Sequence, residues 1–336
     1  LTRVGPPHAL SRKRVLGRPI PTEGENGLFS QSWFPLCLSN AVAPNQVRGE
    51  DFLDGRVVIF RTASGRAQVL SAYCPHLGAD LSVGDVYEDT IRCAFHHWQY
   101  DVDGVCTKTR VGDPPPPGAC LFKFPTIEKY GLIWAFNGEE PLFALPDFPY
   151  PENELVMKVE TFSTDMNVDP WVLCCNTPDI QHIKALHSIT FDQADPDEEI
   201  EWTPYSMLYD FKGRHAGGEP IEYRVGIFGT SIFYQSSVFN GRWFGFLAPF
   251  GLPRPGRSKT YMIVVARKGD GDDAANEAFV NFAMDLEKRV VSEDVSIMQT
   301  IHFKPGTLTK SDKALSKFLQ YLRNYPRAHP SAEFIS

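Results

Sequence analysis

Cys74-Pro75-His76 and, sixteen residues further on, Cys93-Ala94-Phe95-His96 are the two short stretches on which the reading of this chain turns. Each sets one thiol beside one imidazole. Two cysteines and two histidines can hold a zinc ion. Zinc fingers, however, commonly keep the cysteines in one pair and the histidines in the other. Here each loop supplies one of each. That suits a [2Fe–2S] cluster in which one iron takes both thiolates and the other both imidazoles, so that each loop reaches both metals. Gly78 and Gly84 fit tight loops at the tips of hairpins. His97, directly after His96, is expected to pack or hydrogen-bond rather than ligate.

The surroundings read as strands and turns from about Trp33 to Trp134. Val57–Arg61 is β-branched and aromatic, Ala63-Ser64-Gly65-Arg66 is a turn, and Ala67–Tyr73 returns as a strand. Asp103-Gly104 is a hairpin signal. Pro114–Pro117 cannot sit in a central strand and is an exposed loop. Gly131–Phe136 is a last apolar strand, and Gly138–Leu155, rich in proline and acid, reads as a linker. The expected layout is an N-terminal arm over residues 1–28, a small all-β domain over 29–147 and a larger domain over 148–336. Arg3, Arg12, Lys13, Arg14 and Arg18 give the arm basic character without the apolar stretch of a signal peptide, and it is expected to be a mobile tail or a subunit contact.

Composition narrows the function. A length of 336 residues suggests two domains. A net charge of −8 argues against a nucleic-acid or anionic-membrane partner. No apolar run is long enough for a membrane span. Seven cysteines cannot all pair internally, and Cys174 and Cys175 are adjacent, so a secreted disulfide framework is not expected. A reducing, cytoplasmic setting fits best.

The second half carries its own constellation, Asn176-x-x-Asp179-x-x-His182-x-x-x-x-His187. Asp169-Pro170 is a good helix start, with Asp as N-cap. On a helix, Asn176, Asp179 and His182 would share a face, and Asp179 would hydrogen-bond the ring of His182. His182 and His187 lie about 140° apart on a continuous helix, so to meet at one metal the helix must end or distort between them. Two histidines need a carboxylate to complete a facial triad for non-haem iron. In Ala275–Ile301, apolar residues recur at 279, 283, 286, 290, 297 and 301, and the missing inward position is Asp294. Glu293 is about 100° away and is expected to face elsewhere. Asn240-Gly241 is a strong hairpin signal between Ser231–Phe239 and Arg242–Phe250. The aromatic segments Ile232-Phe233-Tyr234 and Trp243-Phe244-Gly245-Phe246 fit core packing or a pocket wall.

With these residues in view, the chain resembles the catalytic (alpha) subunits of Rieske non-haem iron oxygenases over roughly residues 28–327. Cys74–Asp80 and Arg92–Tyr100 are similar to the two cluster-binding loops. Tyr73–Leu81 is similar to the ketosteroid hydroxylase and cholesterol desaturase group. Cys93–Tyr100 and Lys310-Ser311-Asp312-Lys313 are similar to aminopyrrolnitrin oxygenases. In the respiratory branch each loop holds a further cysteine, and the two are bridged. Ala79 and Phe95 stand at those positions here, as in the oxygenase and ferredoxin branch.

The resemblance implies an α+β chain, a small all-β Rieske domain followed by a catalytic domain of antiparallel sheet and helices of helix-grip (START-like) type. It implies a [2Fe–2S] cluster on Cys74, His76, Cys93 and His96, and a mononuclear Fe(II) on His182, His187 and Asp294. Asp179 would bridge the two metal sites and Asn176 would stand near the iron. It further implies O2, electrons from NAD(P)H through a reductase with or without a ferredoxin, and a homotrimer in which the cluster of one subunit serves the iron of the next. Monooxygenation of a hydrophobic or aromatic small molecule is the favoured activity. Cis-dihydroxylation, O- or N-demethylation, amine oxidation and desaturation remain open. The competing class is a non-enzymatic electron-transfer protein.

Overall fold

Alternation of apolar and polar residues builds most of this molecule. In Ser206–Arg214, Met207, Tyr209 and Phe211 are buried while Asp210 and Lys212 face out, the period of a half-buried strand. The computed structural model describes residues 17–336 except positions 240 and 270. Its main feature is a large antiparallel sheet in the second half. Leu155–Thr161 lies at one edge, followed by Arg257–Arg267, Arg242–Arg254, Ile232–Phe239, Pro220–Phe228, Ser206–Arg214 and Thr190–Phe191. Phe239 pairs with Arg242 across the expected hairpin, whose Asn240 lies outside the described residues.

Helices α1 (Pro170–Cys174), α2 (Ile180–Ala185), α3 (Asp273–Met298) and α4 (Lys313–Asn324) accompany this sheet. Asp272 caps α3, accepting from Ala275 N at 2.9 Å. α3 covers one face of the sheet, where Phe244, Phe246, Met262 and Val264 meet Val280, Ala283 and Met284 in one core. The buried face of α3 is not the stripe expected from the apolar residues. It runs through Asn276, Val280, Ala283, Glu287 and Met298, whereas Ile297 and Ile301 are exposed. Apolar periodicity missed this face because two of its members are polar.

The first half is all strand and turn. Leu132–Phe136 pairs with Trp33–Leu38 and Thr126–Lys129, and Val47–Phe52, Gly55–Arg61 and Ala67–Ser71 form a second sheet. A third carries the hairpin Thr90–Arg92 and Gln99–Tyr100. The two halves do not keep separate cores. Trp33, Trp134 and Phe136 pack with Ile232, Tyr234, Leu247 and Ile263 on the far face of the large sheet. The Pro-rich connection joins this core: Leu145 and Phe148 are buried in it. Phe148 stacks on Tyr234, and Gly245 leaves it room, since a Cβ there would sit 2.2 Å from the Phe148 ring.

Two further expectations are corrected. Residues 1–16 of the arm lie outside the described residues, but residues 17–28 are tied down. Arg327 donates to the carbonyls of Thr22 at 2.9 Å and Pro21 at 2.7 Å, and buried Glu23 accepts from Ser30 N and Oγ. Asp169 precedes α1 as expected, but its carboxylate does not cap the helix. It accepts instead from Glu23 N at 3.0 Å and Gly256 N at 2.6 Å, joining three segments.

Candidate metal centres and cavity

The two Cys–His loops lie side by side. Cys74 and Cys93 are buried, while His76 is exposed and His96 half-exposed. The Nδ1 atoms of His76 and His96 face each other at 3.1 Å. The four donor atoms do not all lie within 4.8 Å of one another, as a single ion would need. An elongated two-iron body with sulfur ligands inside and nitrogen ligands outside fits this set. Each loop closes on itself in the same way: Gly78 N donates to Cys74 O at 2.8 Å, and His97 N donates to Cys93 O at 2.9 Å. Both turns need a left-handed residue, Gly78 at φ 77° and His97 at φ 57°. His97 therefore serves through its backbone. The Tyr100 hydroxyl lies 3.0 Å from Cys74 Sγ, placed to donate to a thiolate, and Trp98 stacks on His76.

The second site forms where α2 meets α3. Asn176 and Asp179 are not on one helix with His182. α1 ends at Cys174, a turn carrying Pro178 comes next, and Asp179 caps α2 by accepting from His182 N at 3.0 Å. Its carboxylate does not reach the His182 ring, contrary to the expectation from helical spacing. α2 then ends at Ala185 with Leu186 as its C-cap, and His187 follows beside His182, just before Ser188 turns left-handed at φ 54°. The rings stand 4.6 Å apart at 82°. Asp294 Oδ1 lies 2.9 Å from His182 Nε2 and 3.5 Å from His187 Nε2. Among the described residues this is the one group of three or more such side chains whose donor atoms all lie within 4.8 Å of one another.

The back of each ring fixes its tautomer. His182 Nδ1 lies 3.2 Å from the Asn176 carbonyl, and His187 Nδ1 lies 2.7 Å from Glu293 Oε2. With Nδ1–H donating backwards, each Nε2 faces the shared point, where a metal would take the place of an Nε2 proton shared with Asp294. Glu293 thus does not face elsewhere: its Cα points away, but its long side chain returns to His187. Burial would raise the Asp294 carboxyl, yet hydrogen bonds from His182 and His187 outweigh it and hold it at about 2. Burial lowers His187, but Asp294 and Glu293 outweigh that and raise it. An anionic oxygen and two imidazole nitrogens converging at one point suit a divalent metal with positions left open.

The triad forms part of the wall of a cavity of about 150 Å³. A cavity of about this volume takes a benzene ring. Of the aromatic segments singled out, Phe233 and Phe246 line it, whereas Ile232, Tyr234 and Phe244 are core. Asn176 also lines it. Among the polar wall residues that sequence reasoning missed are His215, bonded to the Tyr223 hydroxyl at 3.0 Å, and the pair Gln235 and Glu287.

The fold and the paired Cys–His loops define a class. The chain contains a Rieske [2Fe-2S] domain, and its fold is similar to that of the solved dicamba monooxygenase. Residues 32–125 match the Rieske [2Fe-2S] domain model. Among curated relatives, aminopyrrolnitrin oxygenase PrnD of Pseudomonas fluorescens is 35% identical over 147 residues, 41% of this chain and 40% of that protein. Cholesterol 7-desaturase nvd 1 of Ciona intestinalis is 34% identical over 140 residues, 40% of this chain and 29% of that protein. The chain thus matches well under half the length of these two relatives. The crystal structure of dicamba monooxygenase bound to dicamba superposes with a TM-score of 0.67 at 16% identity, covering 88% of this chain and 97% of that one. No described helix is long and apolar enough to cross a membrane.

Proposed function

We propose that this chain is the terminal oxygenase of a Rieske system, which inserts one atom of O2 into a small aromatic or hydrophobic molecule and reduces the other to water. The two electrons come from NAD(P)H through a reductase, with or without a ferredoxin. The observation that carries this reading is the triad in the wall of a ring-sized apolar cavity, in a chain that also has the cluster loops. Cys74, His76, Cys93 and His96 would hold the cluster, and His182, His187 and Asp294 the mononuclear iron. When bound, the cluster passes single electrons and the iron(II) activates dioxygen.

The protein's own part is positional. Glu293 and the Asn176 carbonyl orient the two imidazoles. Phe233 and Phe246, packed edge to face at 5.9 Å, give the cavity an aromatic wall for a ring to pack against, and the apolar lining favours exclusion of water from the reacting centre. Tyr100 donates towards Cys74 Sγ, a bond of the kind that tunes a cluster's potential. The half-exposed histidine edge is the side from which electrons can leave. We further propose a homotrimer, in which His96 of one subunit meets Asp179 of the next. Asp179 is half-buried, and one of its oxygens is spent on the His182 amide. The seven free cysteines suit a reducing compartment such as the cytoplasm.

Iron analysis tests the reading. The intact chain should carry about three irons, two in the cluster and one at the triad. His187→Ala should carry about two and consume no O2 with substrate. Mixed with a Cys93→Ser chain and reassembled, it should recover part of the activity. Two irons in the wild type, unchanged by His187→Ala, would leave only an electron carrier.

A further inference from the structure

The cavity wall contains a buried carboxyl group outside the triad. Glu287 is 4% exposed and lines the cavity from α3. Gln235, from the opposing strand Ile232–Phe239, donates through Nε2 to Glu287 Oε1 at 2.7 Å. No lysine or arginine pairs with Glu287 among the described residues. A buried carboxylate without a countercharge is strongly unfavourable unless something else supplies one. A fold under no other demand would place an apolar side chain here, as it does at Val280 and Ala283 on the same face.

The hydrogen bonds of the wall show what the pair lacks. Gln235 has given a donor to Glu287. Its own Oε1 and Glu287 Oε2 have no partner among the described residues, and both are acceptors. Several other polar groups of the wall are committed or unselective. His215 and Tyr223 bond each other, and the Tyr209 hydroxyl donates to the Thr177 carbonyl. Thr260 Oγ1 is buried without a partner, but a hydroxyl donates or accepts and so does not select.

The spacing adds a direction. Glu287 and Asp294 are seven residues apart on α3, two helical turns. They therefore share a face and stand about 10 Å apart along the axis. One aromatic ring with a short substituent at each end fits that interval.

We propose that Glu287 and Gln235 form a specificity-determining pair that receives the protonated amine of a one-ring substrate, leaving the opposite end of the ring at the triad. This deepens the oxygenase reading and rests on it for the word substrate. The binding step itself needs no turnover. An ammonium group supplies the missing charge and up to three donors. An alcohol supplies one donor and no charge, and a hydrocarbon supplies neither.

The test uses three probes of matched shape, 4-methylbenzylamine, 4-methylbenzyl alcohol and p-xylene, titrated calorimetrically into the iron-replete protein near pH 8. The amine is expected to bind at least about tenfold more tightly than the alcohol, the gain of a charge-assisted bond over a neutral one. In Glu287→Gln, which keeps the shape and a bond to Gln235, that preference should vanish. p-Xylene affinity and iron content should be unchanged, the latter reporting that the triad still folds. Alcohol binding equal to amine binding in the wild type overturns the proposal. So does absence of amine binding, or a preference that survives Glu287→Gln. Iron content separates the two readings. If His187→Ala loses no iron the oxygenase reading fails, whereas the amine preference stands or falls on Glu287.

Discussion

Replacing Glu287 with Gln should stabilise the protein, and by an amount that depends on pH. Burial, eased by Gln235 and by His187, pushes the Glu287 carboxyl up from 4.5 to about 7. In the folded state it therefore keeps its proton over a range in which the unfolded chain has already released one. The stability penalty is absent below about pH 4.5, grows as pH rises, and is complete above about pH 7. A rise of this size is worth about 3 kcal/mol at pH 8 and under about 1 kcal/mol at pH 5. Gln does not titrate, so the variant escapes the penalty at every pH. For a chain of this size the gain at pH 8 is on the order of 4–5 °C in melting temperature, shrinking to about 1 °C at pH 5. The measurement is a pair of thermal melts at each pH. The protein is first stripped of its mononuclear iron, so that metal binding to the folded triad does not itself add to the stability read by the melt. A variant no more stable than the wild type at pH 8, or a gain that does not shrink at pH 5, would refute the reasoning.

Cys74→Ser or Cys93→Ser should abolish the visible absorption and the electron spin resonance of a Rieske cluster, and full retention of either signal would contradict the ligand set. Asp294→Ala should empty the triad, and Glu293→Ala should weaken iron there by about 10–100-fold through loss of the bond that orients His187. Chelator competition measures both, and unchanged affinity in Glu293→Ala would show that the 2.7 Å contact does not position the ring. Iron loading should fall as pH drops through the raised His187 value, because a metal must displace the imidazole proton. Equal iron affinity at pH 6 and pH 8 would contradict that.

How much of the fold and site was legible in the sequence depended on how local each signal was. The meeting of the two Cys–His loops was legible, since residue type and spacing sit within a few contiguous residues. The break between His182 and His187 was also legible, because a helical angle of about 140° forbids a shared metal. What the backbone would do around it was not. Pro178 ends any continuous helix, so Asp179 became a cap, and the Asn176 carbonyl took the ring contact assigned to Asp179. Glu293 was misjudged because a helical wheel locates Cα directions, whereas a glutamate reaches back around the helix. Asp294 was found on a stripe that included Ile297 and Ile301, both exposed. Its phase was right because 294 also belongs to the true face through 276, 280, 283, 287 and 298. That face is the instructive one. Apolar periodicity finds a core by its apolar members and is blind to polar residues set among them. Yet a carboxylate at a core position is expensive, so each one calls for a partner. Asp294 has the two histidines. Asn276 accepts from Arg242 at 2.7 Å and from Gly269 N at 2.9 Å, closing the start of α3. Glu287 hydrogen-bonds only Gln235, which leaves an acceptor open on each of them. Of the three polar residues on this face it alone lacks a full account within the protein, and it faces the cavity. The missing partner is therefore to be sought in what the cavity binds.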